Sequence, residues 1–74
     1  MRNKIIEIIS KTTKLEKKFI RENSSKQIWD SLKHFEIIIL LEDAFNVRLD
    51  TADIAAMRSV DEIINILQRI HDNK

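Results

Sequence analysis

The fold class is decided by the stretch Leu32-Lys33-His34-Phe35-Glu36-Ile37-Ile38-Ile39-Leu40-Leu41-Glu42-Asp43-Ala44-Phe45. Its five consecutive aliphatic residues, Ile37–Leu41, could by themselves form a buried strand. The periodic pattern, however, extends over the whole stretch without a turn signal, and this length is typical of a helix. Asp30 or Ser31 would cap the first turn, and Asn46, which tolerates a left-handed backbone, would end the helix. We therefore predict a helix from about residue 30 to residue 45.

The composition favours an all-α fold. The chain has 74 residues, of which 43% are hydrophobic and 34% charged, and it contains no Gly, Pro or Cys. Without Gly, β-hairpin turns and phosphate-binding glycine loops are disfavoured. Without Cys, disulfides, thiolate nucleophiles and Cys-ligated metals are excluded. We expect one domain over residues 1–74.

The apolar segments are too short for a membrane span, which needs about 20 residues. Glu7 interrupts the first apolar segment too early for a signal peptide. The sequence therefore predicts a cytoplasmic protein without a membrane span. We also expect the protein to be a monomer.

Three further helices complete the predicted architecture. The first, about Asn3 to Lys14, has an apolar side at helical spacing: Ile5, Ile8, Ile9 and Thr12. Residues 22–27 are polar and indicate a loop.

Asp50 to Ala56 would form a short helix, capped by Asp50 or Thr51. Ser59 and Glu62 fit a capping box before a last helix with the stripe Val60, Ile63, Ile64, Leu67, Ile70 and His71. Together these predict a small four-helix bundle, with three longer helices, a short third one and a long first loop.

Residues for catalysis are few. Ser31 and His34 lie three apart on one helical face, but a dyad would also need an orienting group and an oxyanion hole, and neither is visible. We interpret His34 as a solvated side chain near a capping serine. His34 and His71 lack the spacing of paired metal ligands. We therefore expect no catalytic residue, no metal site and no enzyme activity.

The start of the central helix resembles a known family. Asp30-Ser31-Leu32 is followed by the pattern L-E-x-x-F at Leu41–Phe45, and by Leu49, Ile54, Met57 and Ser59-Val60 without a gap. Over about residues 28–68 the chain resembles the acyl carrier proteins and related phosphopantetheine-binding carrier domains. The resemblance implies an acyl-carrier type of bundle. It also implies that a separate magnesium-dependent phosphopantetheinyl transferase attaches 4′-phosphopantetheine from coenzyme A to Ser31. The carrier would then hold an acyl or aminoacyl group as a thioester.

The central helix has an outward line of alternating apolar and acidic residues, namely Leu32, Glu36, Ile39 and Asp43. The line could be a solvated face. The resemblance instead implies a docking face for the transferase and for acyl-loading and acyl-transfer enzymes, which would also include Asp30, Glu42 and Asp53. It further implies an acyl pocket. The residues that face inward by spacing and match that region are Ile38, Leu41, Met57 and Ile63.

Two departures from the family pattern concern the modified serine. Gln27-Ile28-Trp29 occupies the region where the family commonly has Gly, and Lys33 stands where fatty-acid carriers usually have an acid. Together with His34, these residues make the chain resemble stand-alone carriers of accessory or specialised pathways more than the housekeeping fatty-acid carrier.

The charge distribution leaves an alternative. Residues 1–29 carry eight Lys or Arg and three acids, a net +5, whereas residues 30–74 have a net charge of −4. A non-enzymatic helical domain could bind nucleic acid or an anionic membrane through this basic third. Within residues 1–29, acids are interspersed among the basic residues, and Phe19 and Trp29 are the only aromatic residues. Both features disfavour nucleic acid as the partner.

Overall fold

The computed structural model describes residues 1–72, and this part of the chain is helical, without strands. Five helices follow one another along it. In chain order they are α1 (Arg2–Thr13), α2 (Lys17–Glu22), α3 (Ser31–Phe45), α4 (Thr51–Ala56) and α5 (Val60–Asp72). The all-α prediction is confirmed, and α1, α3, α4 and α5 begin and end within two residues of the predicted bounds.

Helix α2 was not predicted, so the described chain has five helices and not four. The segment before residue 22 has no extended apolar pattern, and six residues are too few for a helix that is stable by itself. Tertiary packing supplies what the local sequence lacks, because Ile20 is completely buried and α2 contacts α1. The predicted long first loop is therefore divided into two shorter connections.

The core lies between α1, α3 and α5. Helix α1 packs against α3 and α5, and α4 packs against α5. The predicted apolar side of α1 is buried, as are Val60, Ile63 and Leu67 of α5. Periodicity did not identify Ile6, Ile66 and Trp29, which are also buried. The predicted stripe of α5 is thus shifted, since Ile64 and Ile70 are only half-buried and His71 is exposed.

The helix ends explain how the chain folds without glycine. Asn46 ends α3 in the left-handed conformation, with φ 52°, as predicted. Lys14 ends α1 in the same conformation, with φ 67°. A left-handed residue with a Cβ atom costs about 1–2 kcal/mol, so the end of α1 is strained.

The starts of α4 and α5 are capped by side chains. Asp50, and not Thr51, caps α4 by accepting a hydrogen bond from the backbone N–H of Asp53 at 2.8 Å. Ser59 accepts from the backbone N–H of Glu62 at 3.3 Å and donates its hydroxyl to the Glu62 carboxylate at 3.2 Å. Ser59 therefore caps α5 as predicted, but the Glu62 carboxylate reaches back to the Ser59 hydroxyl, where a capping box would use the Ser59 backbone N–H.

The loop before α3 is held on the start of α5. The Ser24 carbonyl accepts from the backbone N–H of Asp61 at 3.0 Å, and the Ser24 hydroxyl donates to the Asp61 carboxylate at 3.3 Å. Trp29, at the end of this loop, is buried in the core. These contacts attach the loop to the bundle just before the start of α3.

Candidate functional site

Ser31 is the first residue of α3, and the capping role belongs to its neighbour. The Asp30 carboxylate accepts a hydrogen bond from the backbone N–H of Lys33 at 2.9 Å. Ser31 is exposed, and its hydroxyl makes no hydrogen bond within residues 1–72. The Ser31 hydroxyl is therefore available to react, because Asp30 and not Ser31 accepts the backbone N–H of the first turn.

His34 is not the solvated side chain that the sequence predicted. It is half-buried and connects the loop, α3 and α4. The indole Nε1 of Trp29 donates to His34 Nδ1 at 3.0 Å, and His34 Nε2 lies 2.7 Å from the carbonyl oxygen of Ile54. The indole and imidazole planes are within 11° of each other and the ring centroids are 6.3 Å apart, as expected for two rings joined edge to edge by this hydrogen bond. The spacing of Trp29 and His34 could have suggested this pair, but the partner on α4 lies 20 residues away.

These two contacts specify the tautomer of His34. Because indole N–H is only a donor, Nδ1 must be the unprotonated acceptor. Nε2 then carries the proton and donates it to the Ile54 carbonyl. Both ring nitrogens are occupied, so His34 has no free position from which to accept the Ser31 proton. The geometry thus argues against a Ser–His dyad.

Ser31 opens onto a cavity of about 550 Å³ between the start of α3 and α4. One wall is apolar and consists of Phe35, Ile54 and Ala55. The other lining residues carry polar groups: Gln27, Ser31, His34, Thr51 and Arg58. A cavity of this size, mainly apolar with a few polar groups, is typical of small-molecule sites.

The apolar residues of the predicted docking face are exposed. Leu32 is 73% and Ile39 64% exposed, and the acidic residues between and beyond them, Glu36 and Asp43, also face solvent. Phe35 and Leu40, at 60% and 44% exposed, extend the apolar part of this face, although periodicity did not select them. We call Leu32, Phe35, Ile39 and Leu40 the α3 apolar patch.

The acidic residues assigned to the docking face differ in their contacts. Glu42 is half-buried and accepts from the backbone N–H of Leu49 at 2.9 Å, which holds the loop after α3. Asp53 pairs with Arg69 at 3.1 Å. Glu36 lies 3.6 Å from Lys33, so the lysine that departs from the family pattern offsets part of the acidic charge. Asp43 is exposed, and within residues 1–72 it has no ion-pair partner.

The residues predicted to line an acyl pocket lie inside the core. Ile38, Leu41, Met57 and Ile63 are at most 3% exposed, which confirms that they face inward. None of the four lines the cavity beside Ser31. The pocket itself remains a prediction, since a chain entering there would have to separate packed side chains.

Comparison with known proteins gives no relative for this chain: no protein-family model matches it, and neither a curated protein nor a solved structure does. Within residues 1–72, no helix combines the length and apolar character that crossing a membrane would require. The functional interpretation therefore depends on the chemistry and geometry of the residues around Ser31.

Proposed function

We propose that this chain is a carrier protein that receives 4′-phosphopantetheine on Ser31 and presents an acyl or aminoacyl group to pathway enzymes. One observation carries the proposal. Within residues 1–72, the exposed hydroxyl of Ser31, at the first position of a 15-residue helix, has no hydrogen-bond partner, and Asp30 supplies the cap. If Ser31 capped its helix, its side-chain oxygen would accept a backbone N–H, as the Ser59 hydroxyl does from Glu62. The resemblance of Asp30-Ser31-Leu32 and the following residues to carrier domains supports the same conclusion.

The residues around Ser31 fit the charge of the proposed group. A phosphodiester on Ser31 would lie at the amino end of α3, where unpaired backbone N–H groups and the positive end of the helix dipole favour an anion. When attached, the group supplies a thiol that holds an acyl group as a thioester. This thiol would serve a chain that has no cysteine of its own.

The transfer requires a base from outside this chain. Ser31 Oγ would form a bond to the pantetheine-side phosphorus of coenzyme A, while the bond from that phosphorus to the bridging oxygen breaks. Adenosine 3′,5′-bisphosphate would leave with the bonding electrons, and the hydroxyl proton would pass to the base. Both nitrogens of His34 are occupied by Trp29 and Ile54, so the transferase is the expected source of the base.

The α3 apolar patch gives the proposed partners a surface next to Ser31. Singly exposed aliphatic residues are common, but here four large apolar residues lie on one helix. Exposed acids beside them, chiefly Asp43, would favour basic partners and would act mainly on association rate and partner choice. Lys33, paired with Glu36, would select against partners that require an acid at that position.

The deciding experiment is modification by a phosphopantetheinyl transferase. The wild-type chain, incubated with coenzyme A, Mg²⁺ and a broad-specificity transferase, should gain the mass of one phosphopantetheinyl group. Ser31→Ala should gain none. Ser25→Ala, which removes another exposed hydroxyl, should be modified like the wild type. A wild-type chain that stays unmodified with several transferases would refute the proposal.

A second candidate function is supported by the surface of α2. Lys17, Lys18 and Arg21 are exposed there, and Phe19 is 45% exposed beside them. Cations around an exposed aromatic ring are typical of segments that bind anionic lipid surfaces. Vesicles with and without anionic lipid would test this candidate. The membrane-binding candidate would be favoured over the carrier function if a chain that no transferase modifies sedimented with the anionic vesicles only. Phe19→Ala should then abolish this sedimentation.

A further inference from the structure

Arg58 gives the cavity beside Ser31 a specific electrostatic character. Among the lining residues, all of which belong to the described part of the chain, Arg58 alone is an Arg, Lys, Asp or Glu. It follows α4 in the short connection to α5 and lines the same cavity as Ser31 at the start of α3. The remaining polar groups of the lining are neutral amide, hydroxyl or imidazole groups, so Arg58 supplies the dominant charge.

Within residues 1–72, the exposed Arg58 side chain makes one hydrogen bond, which leaves most of its donors free. Its Nε donates to the carbonyl oxygen of Ala55 at 3.0 Å. Within residues 1–72, its two terminal amino groups have no carboxylate or carbonyl partner. Arg69 differs, because its amino group pairs with Asp53 at 3.1 Å. A guanidinium whose amino groups are available in this way can bind a carboxylate or a phosphate through two parallel hydrogen bonds.

The cavity lining also offers a surface to an aliphatic chain. Phe35, Ile54 and Ala55 are its apolar wall, and Phe35 is 60% exposed although it is a large aromatic residue. This wall adjoins the guanidinium, because Ala55 is the residue whose carbonyl accepts from Arg58. Covering this wall with methylene groups would remove apolar surface from water. An apolar wall would be of little use to a phosphodiester alone, whereas a chain with an anionic end would use both the wall and Arg58.

We propose that the cavity binds an acyl cargo whose chain ends in a free carboxylate, with the methylene groups on the apolar wall and the carboxylate on Arg58. The inference rests on the proposed function only for the way in which the cargo arrives, tethered at Ser31. It identifies the cargo class as dicarboxylic rather than simple fatty acyl. It also differs from the acyl pocket predicted from the sequence, which involves none of these residues.

The absence of cysteine allows a test that needs no transferase. A Ser31→Cys variant has a single thiol, whose thiolate can attack the disulfide form of a small thiol to give a mixed disulfide and release the other half as free thiol. The small thiols named below are therefore supplied as their disulfides. Mercaptohexanoate and its neutral amide would compete for this thiol, and intact mass would give the ratio of the two adducts. A second competition, between mercaptoacetate and its amide, would place the anion near the attachment atom, where a phosphodiester would be.

Three variants test whether anything other than Arg58 causes a preference for the carboxylate reagent over its amide. Ser25→Cys, at an exposed loop position, reports the intrinsic difference between the reagents. Ser31→Cys combined with Arg58→Gln removes the guanidinium but keeps the dipole of α3. The matched combination with Arg48→Gln removes an exposed arginine that does not line the cavity.

We expect mercaptohexanoate to be preferred over its amide by about fivefold, which corresponds to about 1 kcal/mol, an upper value for an exposed ion pair. The preference should disappear with Arg58→Gln and persist with Arg48→Gln. Equal adduct ratios for Ser31→Cys and Ser25→Cys would overturn the proposal. So would an Arg58-dependent preference confined to mercaptoacetate, because the anion bound by Arg58 would then be the phosphodiester. Failure of transferase modification would refute the proposed function independently of these ratios.

Discussion

The indole N–H of Trp29 donates a hydrogen bond to Nδ1 of His34, five residues along the chain, across 3.0 Å. Because His34 Nε2 in turn contacts the Ile54 carbonyl at 2.7 Å, one imidazole connects the buried end of the loop, the first turn of α3 and α4. This chain of hydrogen bonds forms one side of the region around Ser31. Its geometry requires the neutral tautomer with the proton on Nε2.

Replacing His34 should therefore destabilise the fold. His34→Ala leaves the Trp29 N–H and the Ile54 carbonyl without their partner, and we expect a loss of about 2 kcal/mol in the free energy of unfolding. His71→Ala, at an exposed position, should change it by less than about 0.5 kcal/mol. Urea unfolding measures both. NMR of the imidazole nitrogens checks the tautomer, and a proton on Nδ1 in the folded neutral state would contradict the assignment.

Two serines at helix starts should respond oppositely to substitution. Ser31→Ala should leave the free energy of unfolding within about 0.5 kcal/mol of the wild type while abolishing modification. Ser59→Ala should cost about 1–2 kcal/mol, since its oxygen caps α5, and should leave modification intact. Thermal unfolding and intact mass on the same samples measure both effects. Destabilisation of Ser31→Ala to the level of Ser59→Ala would mean that Ser31 is a structural residue.

The left-handed residue at the end of α1 provides a stabilising substitution. Lys14→Gly removes the Cβ clash at φ 67°, and we expect a gain of about 1 kcal/mol, less the added entropy of the unfolded chain. Lys11→Gly removes the same charge within α1, where Gly should cost about 1 kcal/mol. Chemical denaturation of both variants gives the comparison. Equal destabilisation by the two substitutions would show that Lys14 does not end the helix in this way.

Substitutions of two neighbouring acids on α3 should have different effects, one on the rate of modification and the other on the free energy of unfolding. Asp43→Lys should slow transferase modification, and more strongly at low salt, with little change in unfolding. Glu42→Gln weakens the acceptor for the Leu49 N–H and should lower the free energy of unfolding by about 1 kcal/mol. Modification rates at several ionic strengths test the first effect. A salt-independent rate for Asp43→Lys would remove Asp43 from the docking face.

Lys33 is predicted to influence partner choice. On the proposed function, Lys33→Asp should improve acyl transfer by enzymes of fatty-acid synthesis, because it replaces a like charge facing their basic patches and removes the ion pair that offsets Glu36. The rate of acyl transfer to the pantetheine-loaded variant, compared with the loaded wild type at low salt, measures this effect. If the rates agree, partner choice depends instead on the α3 apolar patch.

Long apolar cargo should report whether the predicted acyl pocket can open. Each methylene buried among Ile38, Leu41, Met57 and Ile63 would contribute about 0.8 kcal/mol, less the cost of separating these packed side chains. Protein loaded with acyl chains of increasing length should then melt at increasing temperature, which differential scanning calorimetry records. Equal melting temperatures would indicate that apolar cargo does not enter the core.

Local sequence was sufficient to predict much of the helical framework. The aliphatic pattern from Leu32 to Phe45 is long enough to exclude a strand, and helix caps depend on residues only three apart, as at Ser59 and Glu62. Asn46 could be recognised because few side chains other than Gly tolerate the left-handed conformation. Ser31 was selected through the resemblance to carrier domains, since the local sequence left open whether Asp30 or Ser31 caps the helix.

Tertiary structure decided the features that depend on distant residues. Helix α2 forms because Ile20 reaches the core, and six residues carry no such information in their own pattern. His34 becomes a structural connector only when α4 brings the Ile54 carbonyl to it. Arg58 and Ser31, 27 residues apart, line one cavity for the same reason. Periodicity tells which side of a helix is apolar, but the neighbour that covers it follows from packing, and packing acts across the whole chain.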